Sequence, residues 1–171
     1  MASTRWLTGI EIEKLINCYA DSETKQAFVG VFAINTLPNQ VHHLPLLLIV
    51  NTDASNLPGR HWKVAYISEE RQGEIFDSLV TPVNILLEQW MNKFSNKWIM
   101  SSKTIQHPLS PSCGAYALHF VLSRLHCKDL QSYVNQFSPT LSENENFIKK
   151  FMESIILPTK KGAIKACLHH R

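Results

Sequence analysis

The sequence predicts an α+β fold, and three observations carry that reading. Helical and strand periodicities are both present, they do not alternate strictly, and three consecutive strand-like runs are joined by short polar loops, as in an antiparallel sheet section.

The elements follow in order. Thr8 and Glu11 form the capping-box pattern at a helix start, and Leu7 and Ile12 are spaced for a hydrophobic staple. Ile12, Leu15, Ile16 and Tyr19 then recur at helical spacing. "FVGVFAI" (28–34) is apolar and β-leaning and is punctuated by "LPN". "PLLLIVNT" (45–52) reads as a strand buried on both faces. "HWKVAYIS" (61–68) alternates, with Trp62, Val64 and Tyr66 on one face and Lys63, Ala65 and Ile67 on the other. After the turn "EERQG" comes the strand "EIFDSL" (74–79). Thr81 followed by Pro82 predicts a helix start, with Val83, Leu86, Leu87 and Trp90 as its stripe. "KWIMSS" (97–102) is a short strand. From Cys113 to Leu125 nearly every turn is apolar all round, the mark of a central buried helix. Leu130, Tyr133, Val134 and Phe137 line one further helix. Phe147, Ile148, Phe151 and Ile155 line the last, which Ser142 and Glu145 are placed to box.

With 171 residues, the chain suits one domain, 1–171, able to bury roughly 70% of the surface exposed when unfolded. A composition of 44% hydrophobic and 18% charged residues excludes a wholly disordered chain. No apolar run reaches about 18 residues, so no transmembrane helix is expected. "MASTRWLTGIEIEK" has no apolar core of a secretory signal, so export is not expected either. The four scattered cysteines, Cys18, Cys113, Cys127 and Cys167, form no disulfide framework and no CxxC pair. Net charge is only +3, but 159–171 holds Lys160, Lys161, Lys165 and Arg171 with no acid, a stretch able to neutralise phosphates or simply to be solvated.

The segment "SPSCGAYALHF" (110–120) bears the chemistry. Cys113 opens a helix directly after Pro111 and Ser112, facing the positive end of the macrodipole and unpaired N–H groups. Such a setting, with an imidazolium nearby, can pull a thiol from ~8.5 to roughly 3.5–7.5. A buried free cysteine is the ordinary alternative. Gly114 costs the helix about 1 kcal/mol relative to Ala, and its missing side chain would leave room for a substrate backbone. A reactive thiol also needs a base. His61 opens a strand after a loop, and His107 stays open on geometry, whereas His119 points away along the helix and His126 lies at its far end. Asp77, on the neighbouring strand, is placed to orient His61 as a third member orients a triad. The Cys113 N–H and the Gln106 side-chain amide would complete an oxyanion hole. Cys113, His119, His126 and Cys127 lack the matched pairs of a zinc site.

The order His61-Trp62, Asp77, Gln106, Cys113-Gly114, at intervals of 16, 29 and 7 residues, resembles the adenovirus-type, adenain-like cysteine proteases, whose clan includes the SUMO-deconjugating proteases. "INTD…PGRHW", "FDS" and "Q…SCGAYALHF" look most like the small proteases of Polinton/Maverick elements and related double-stranded DNA viruses, over roughly 28–125. The resemblance implies a papain-like fold in permuted order, with a mixed sheet against a central Cys-bearing helix and flanking helices, 127–171 being helical. It implies Cys113 as nucleophile, His61 as base and acid, Asp77 as orienting acid, Gln106 as oxyanion donor, and Trp62 as a residue shaping the site. By the same resemblance, the substrates are capsid and core precursor polypeptides cleaved after Gly during particle maturation, in a virion, host nucleus or viral factory. No cofactor is needed for the chemistry, and an activating peptide and DNA are the implied activators; a monomer is expected. Adenoviral enzymes carry Glu where this chain has Asp77. They also tether their peptide through a cysteine between the acid and the Gln, and none occurs between Asp77 and Gln106 here, so that tether is not expected. A SUMO- or ubiquitin-like deconjugase, and a DNA- or capsid-binding protein with a vestigial site, are the alternatives.

Overall fold

The structure is a computed structural model and describes residues 7–156; the basic stretch with Lys160, Lys161, Lys165 and Arg171 lies outside them. Helix α1 (Gly9–Tyr19) starts at the predicted cap: Glu11 N–H donates to Thr8 Oγ1 (3.3 Å) and Thr8 N–H to Glu11 Oε2 (2.9 Å). Leu7 and Ile12 are both buried, as a staple requires. A second helix, α2 (Ser22–Ala27), has no counterpart in the sequence reading; at six residues it is too short to show a stripe, and Asp21 caps it through Thr24 N–H (2.8 Å).

Five strands follow, β1 (Phe28–Ala33), β2 (Leu46–Asn51), β3 (Trp62–Ile67), β4 (Gln72–Phe76) and β5 (Lys97–Met100), in the spatial order β1-β2-β3-β4-β5. The two outer pairings, β1 with β2 and β4 with β5, are parallel; β2–β3 and β3–β4 are the expected antiparallel section. The sheet is buried on both faces. Leu47, Ile49, Val64, Tyr66 and Phe76 face α1, α4 (Cys113–Arg124), α5 (Leu130–Val134) and α6 (Leu141–Ile156). Leu46, Leu48, Val50, Ala65, Ile67 and Ile75 face α3 (Ile85–Phe94) through Leu87, Trp90 and Met91. Period-2 alternation therefore serves two cores at once, which is why β2 reads as a continuous apolar run.

Three local expectations are corrected. Strand β4 ends at Phe76, so Asp77 stands just beyond the ladder. Helix α3 begins at Ile85 with Asn84 as its cap (Leu86 N–H to Asn84 Oδ1, 2.8 Å), not at Thr81–Pro82, because Thr81 is drawn to Asp77 instead. Helix α6 begins at Leu141, where Thr140 O accepts from Glu143 N–H (3.1 Å); Ser142 and Glu145 form no box, and Glu145 turns toward the loop before α4.

Candidate active site

The antiparallel register of β3 and β4 builds the acid–imidazole pair. Val64 stands opposite Phe76, so one step further Lys63 stands opposite Asp77, and His61 lies two residues along. His61 Nε2–H donates to Asp77 Oδ1 at 2.6 Å, and both residues are buried. The other ring nitrogen is left for Cys113, which with Asp77 raises the His61 pKa. Burial by itself pulls the His61 pKa down, but the Asp77 hydrogen bond, the Cys113 hydrogen bond and the charges of both raise it to about 9.

Asp77 is fully buried and fully engaged. Besides His61, it accepts from Leu79 N–H (2.8 Å), Thr81 N–H (2.8 Å) and Thr81 Oγ1–H (2.7 Å), and it pairs with Lys63 Nζ at 3.0 Å. Burial opposes its ionisation, yet these hydrogen bonds and the neighbouring cations hold its carboxyl well below the usual carboxylate range. The turn that supplies these donors bends through Val80 at φ 54°, a left-handed conformation that a β-branched residue rarely adopts. The grip on Asp77 supports that strain.

Lys63 is the site residue that sequence reasoning left in the strand face. Only 1% exposed, it also donates to Thr81 O (3.0 Å) and Pro82 O (2.9 Å). The available signal was a lysine on the same strand face as Ala65 and Ile67, which form core.

Cys113 heads α4 and is 2% exposed. Its own N–H is among those a helix start leaves without an intrahelical partner. Gln106 is buried nearby in the cleft wall: Ser78 Oγ–H donates to its Oε1 (2.6 Å), and its Nε2 donates to Ser110 O (2.8 Å), leaving the second amide hydrogen free to serve a ligand. His61, Gln106 and Cys113 line one cleft of about 530 Å³, walled also by Thr81, Pro82 and Val83.

Two sequence-predicted residues sit elsewhere. The space expected beside Gly114 is filled: a β-carbon there would stand 3.1 Å from Leu7 Cβ and 3.2 Å from Trp62 Cδ1. Gly114 is needed for the close approach of α1 and β3 to α4, not for room. Trp62 packs on that contact, donates from its indole to Leu7 O (3.1 Å), and lines a neighbouring cleft of about 610 Å³. His107 lies exposed, its Nδ1 accepting from Leu109 N–H, and is not brought to Cys113. His119 packs among Phe137, Phe147 and Phe151 and bonds to the Tyr133 hydroxyl.

No protein-family model matches the sequence, and no curated protein matches it. Solved structures do. Two crystal structures of the ASFV pS273R protease match at 19% and 16% identity with TM-scores of 0.51 and 0.53, covering 72% of this chain. The chain spans only 59% and 58% of those proteins' length. ChlaDub1 of Chlamydia trachomatis matches at 14% identity and a TM-score of 0.50, over 91% of this chain and 79% of its own. The likeness is one of fold: an α+β, papain-like arrangement with a mixed sheet against a Cys-bearing helix.

Proposed function

We propose that the chain is a cysteine endopeptidase working through an acyl-enzyme at Cys113. The observation that carries this is the buried His61–Asp77 pair, 2.6 Å apart, in one cleft with Cys113 and Gln106. In this reading His61 takes the thiol proton and the sulfur attacks a substrate carbonyl. The resulting oxyanion accepts hydrogen bonds from the Cys113 N–H and Gln106. His61 then protonates the departing amine, the C–N bond breaks, and a thioester remains. Water, deprotonated by His61, attacks the thioester and releases the acid and the free thiol. Asp77 keeps the ring in one tautomer and orientation throughout.

The substrates we propose are capsid or core precursor polypeptides of a viral or transposon particle, cut after Gly. The resemblance of the motifs supports this assignment, as does the fold shared with a protease of ASFV. DNA and a precursor-derived peptide are the proposed activators, with 159–171 as the stretch that meets DNA.

The test has two steps. Iodoacetamide alkylation with mass-spectrometric assignment is followed from pH 6 upward: fast, selective reaction at Cys113 that is lost in His61→Ala is expected. Turnover is then measured on Gly-containing precursor peptides and on a ubiquitin-like C-terminal reporter, each with and without duplex DNA. Precursor cleavage abolished by Cys113→Ala supports the proposal. Reporter hydrolysis alone transfers the chain to the deconjugases, and uniform alkylation of all cysteines with no cleavage marks a vestigial site.

A further inference from the structure

Helix α6 sends one side chain to the loop on which both oxyanion donors sit. The Glu145 carboxylate accepts from His107 N–H (2.9 Å) and Tyr116 OH (3.3 Å) at Oε1, and from Ser110 Oγ–H (2.6 Å) and Ser112 Oγ–H (2.8 Å) at Oε2. His107 directly follows Gln106, and Ser112 directly precedes Cys113. One half-buried carboxylate thus touches the neighbour of each donor and closes the segment between them. Its helix neighbour Asn144 pins the same loop one residue earlier, donating to Ile105 O (3.0 Å). Ser110, held by Glu145, returns its carbonyl to Gln106 Nε2 (2.8 Å).

We propose that Glu145 is a positioning residue that sets the separation between the Gln106 amide and the Cys113 N–H, and so shapes the oxyanion site. The inference rests on the protease reading above. A negative charge behind the start of α4 does not help a developing negative charge on sulfur or oxygen, so its use there is geometric. A carboxylate accepts and never donates, which suits the His107 N–H and the Ser110 and Ser112 hydroxyls that converge on it. The two hydroxyls also lie 2.7 Å apart, and Tyr116 OH divides its one hydrogen between Glu145 and Ile105 O (3.1 Å). Glutamine keeps the shape but turns an NH₂ toward two of these donors.

The experiment uses the full chain with Glu145→Gln and Glu145→Asp, and Ser110→Ala as a variant that leaves α6 untouched. An interaction felt only in the transition state lowers kcat and spares KM. Glu145→Gln should therefore lower kcat by about 10–100-fold, less than the roughly 10²–10³-fold of removing an oxyanion donor outright, with KM little changed. Alkylation of Cys113, which needs no oxyanion site, should proceed at least as fast as in the native chain. Glu145→Asp should recover part of kcat, and Ser110→Ala should show a smaller loss of the same kind. Amide exchange at His107, read by mass spectrometry or NMR, should accelerate in Glu145→Gln. Native kcat in Glu145→Gln overturns the inference, as does a loss confined to KM. If the native chain turns over nothing, the protease reading has failed, and unchanged His107 exchange in Glu145→Gln then removes the clamp as well.

Discussion

Lys63 and Asp77 show how much one buried pair can decide. The carboxylate carries two jobs, orienting His61 and closing the 77–82 turn, and the ammonium serves both by neutralising Asp77 and binding Thr81 O and Pro82 O. Removing the acid leaves the ammonium uncompensated, whereas removing the ammonium does not strip the acid of partners. Asp77→Ala should cost about 3–5 kcal/mol, because the Lys63 charge stays buried without its partner. Lys63→Met should cost about 1.5–3 kcal/mol, the range for hydrogen bonds to charged groups, since His61 and three other donors still hold Asp77. In the double variant the Asp77 cost should shrink markedly; urea unfolding of the four proteins checks this coupling. Cys113, His61, Asp77 and Gln106 could be named from residue type and order. Lys63 could not, since a strand lysine is ordinarily solvated and only the facing strand reveals an acid.

At the scale of elements, the end of α4 is fastened by a second buried ion pair. Glu74 of β4 receives Arg124 Nε (2.6 Å) and Nη2 (2.8 Å), accepts Leu130 N–H at the head of α5 (3.1 Å), and Arg124 lies over the Tyr66 ring at 4.1 Å. This network aligns α4 on the sheet from the end opposite Cys113. Glu74→Gln should destabilise the protein by about 3–5 kcal/mol, measured by denaturant titration, and a paired Glu74→Leu, Arg124→Met replacement should recover most of that. The elements that sequence periodicity identified well are those with an apolar stripe: α1, the core strands and α4. The misplaced starts of α3 and α6 share one cause. Thr81 and Glu145 carry capping chemistry, but each has a better partner from a distant segment, Asp77 or the 107–112 loop.

For the whole molecule, two histidines set opposing limits on stability. His119 is half-buried among aromatic rings; desolvation lowers its pKa to about 4, so the stability it supports is present above 6.5 and is lost as pH falls toward 4. His61 is the reverse. With its pKa raised to about 9, its contribution is complete below 6.5 and is lost as pH rises through 9. Asp77, held low, adds stability above about 3.8 that disappears at more acid pH. Urea unfolding across pH should therefore show a maximum near 6.5, and His61→Ala should flatten its alkaline arm, leave the fall between 6.5 and 4 that His119 sets, and shrink the more acid part that Asp77 contributes.

By itself the sequence determined the α+β class, the two-sided burial of the central strands and the helix that Cys113 heads, and it named four candidate residues. Those follow from local periodicity, from the chemistry of side chains and from their order along the chain. Tertiary structure alone decided the parallel outer pairings, the filling of the space at Gly114 by Leu7 and Trp62, and the recruitment of Lys63 and Glu145. Each depends on which segment faces a side chain across the fold. A buried charge or hydroxyl takes the best partner within reach, and that reach is three-dimensional.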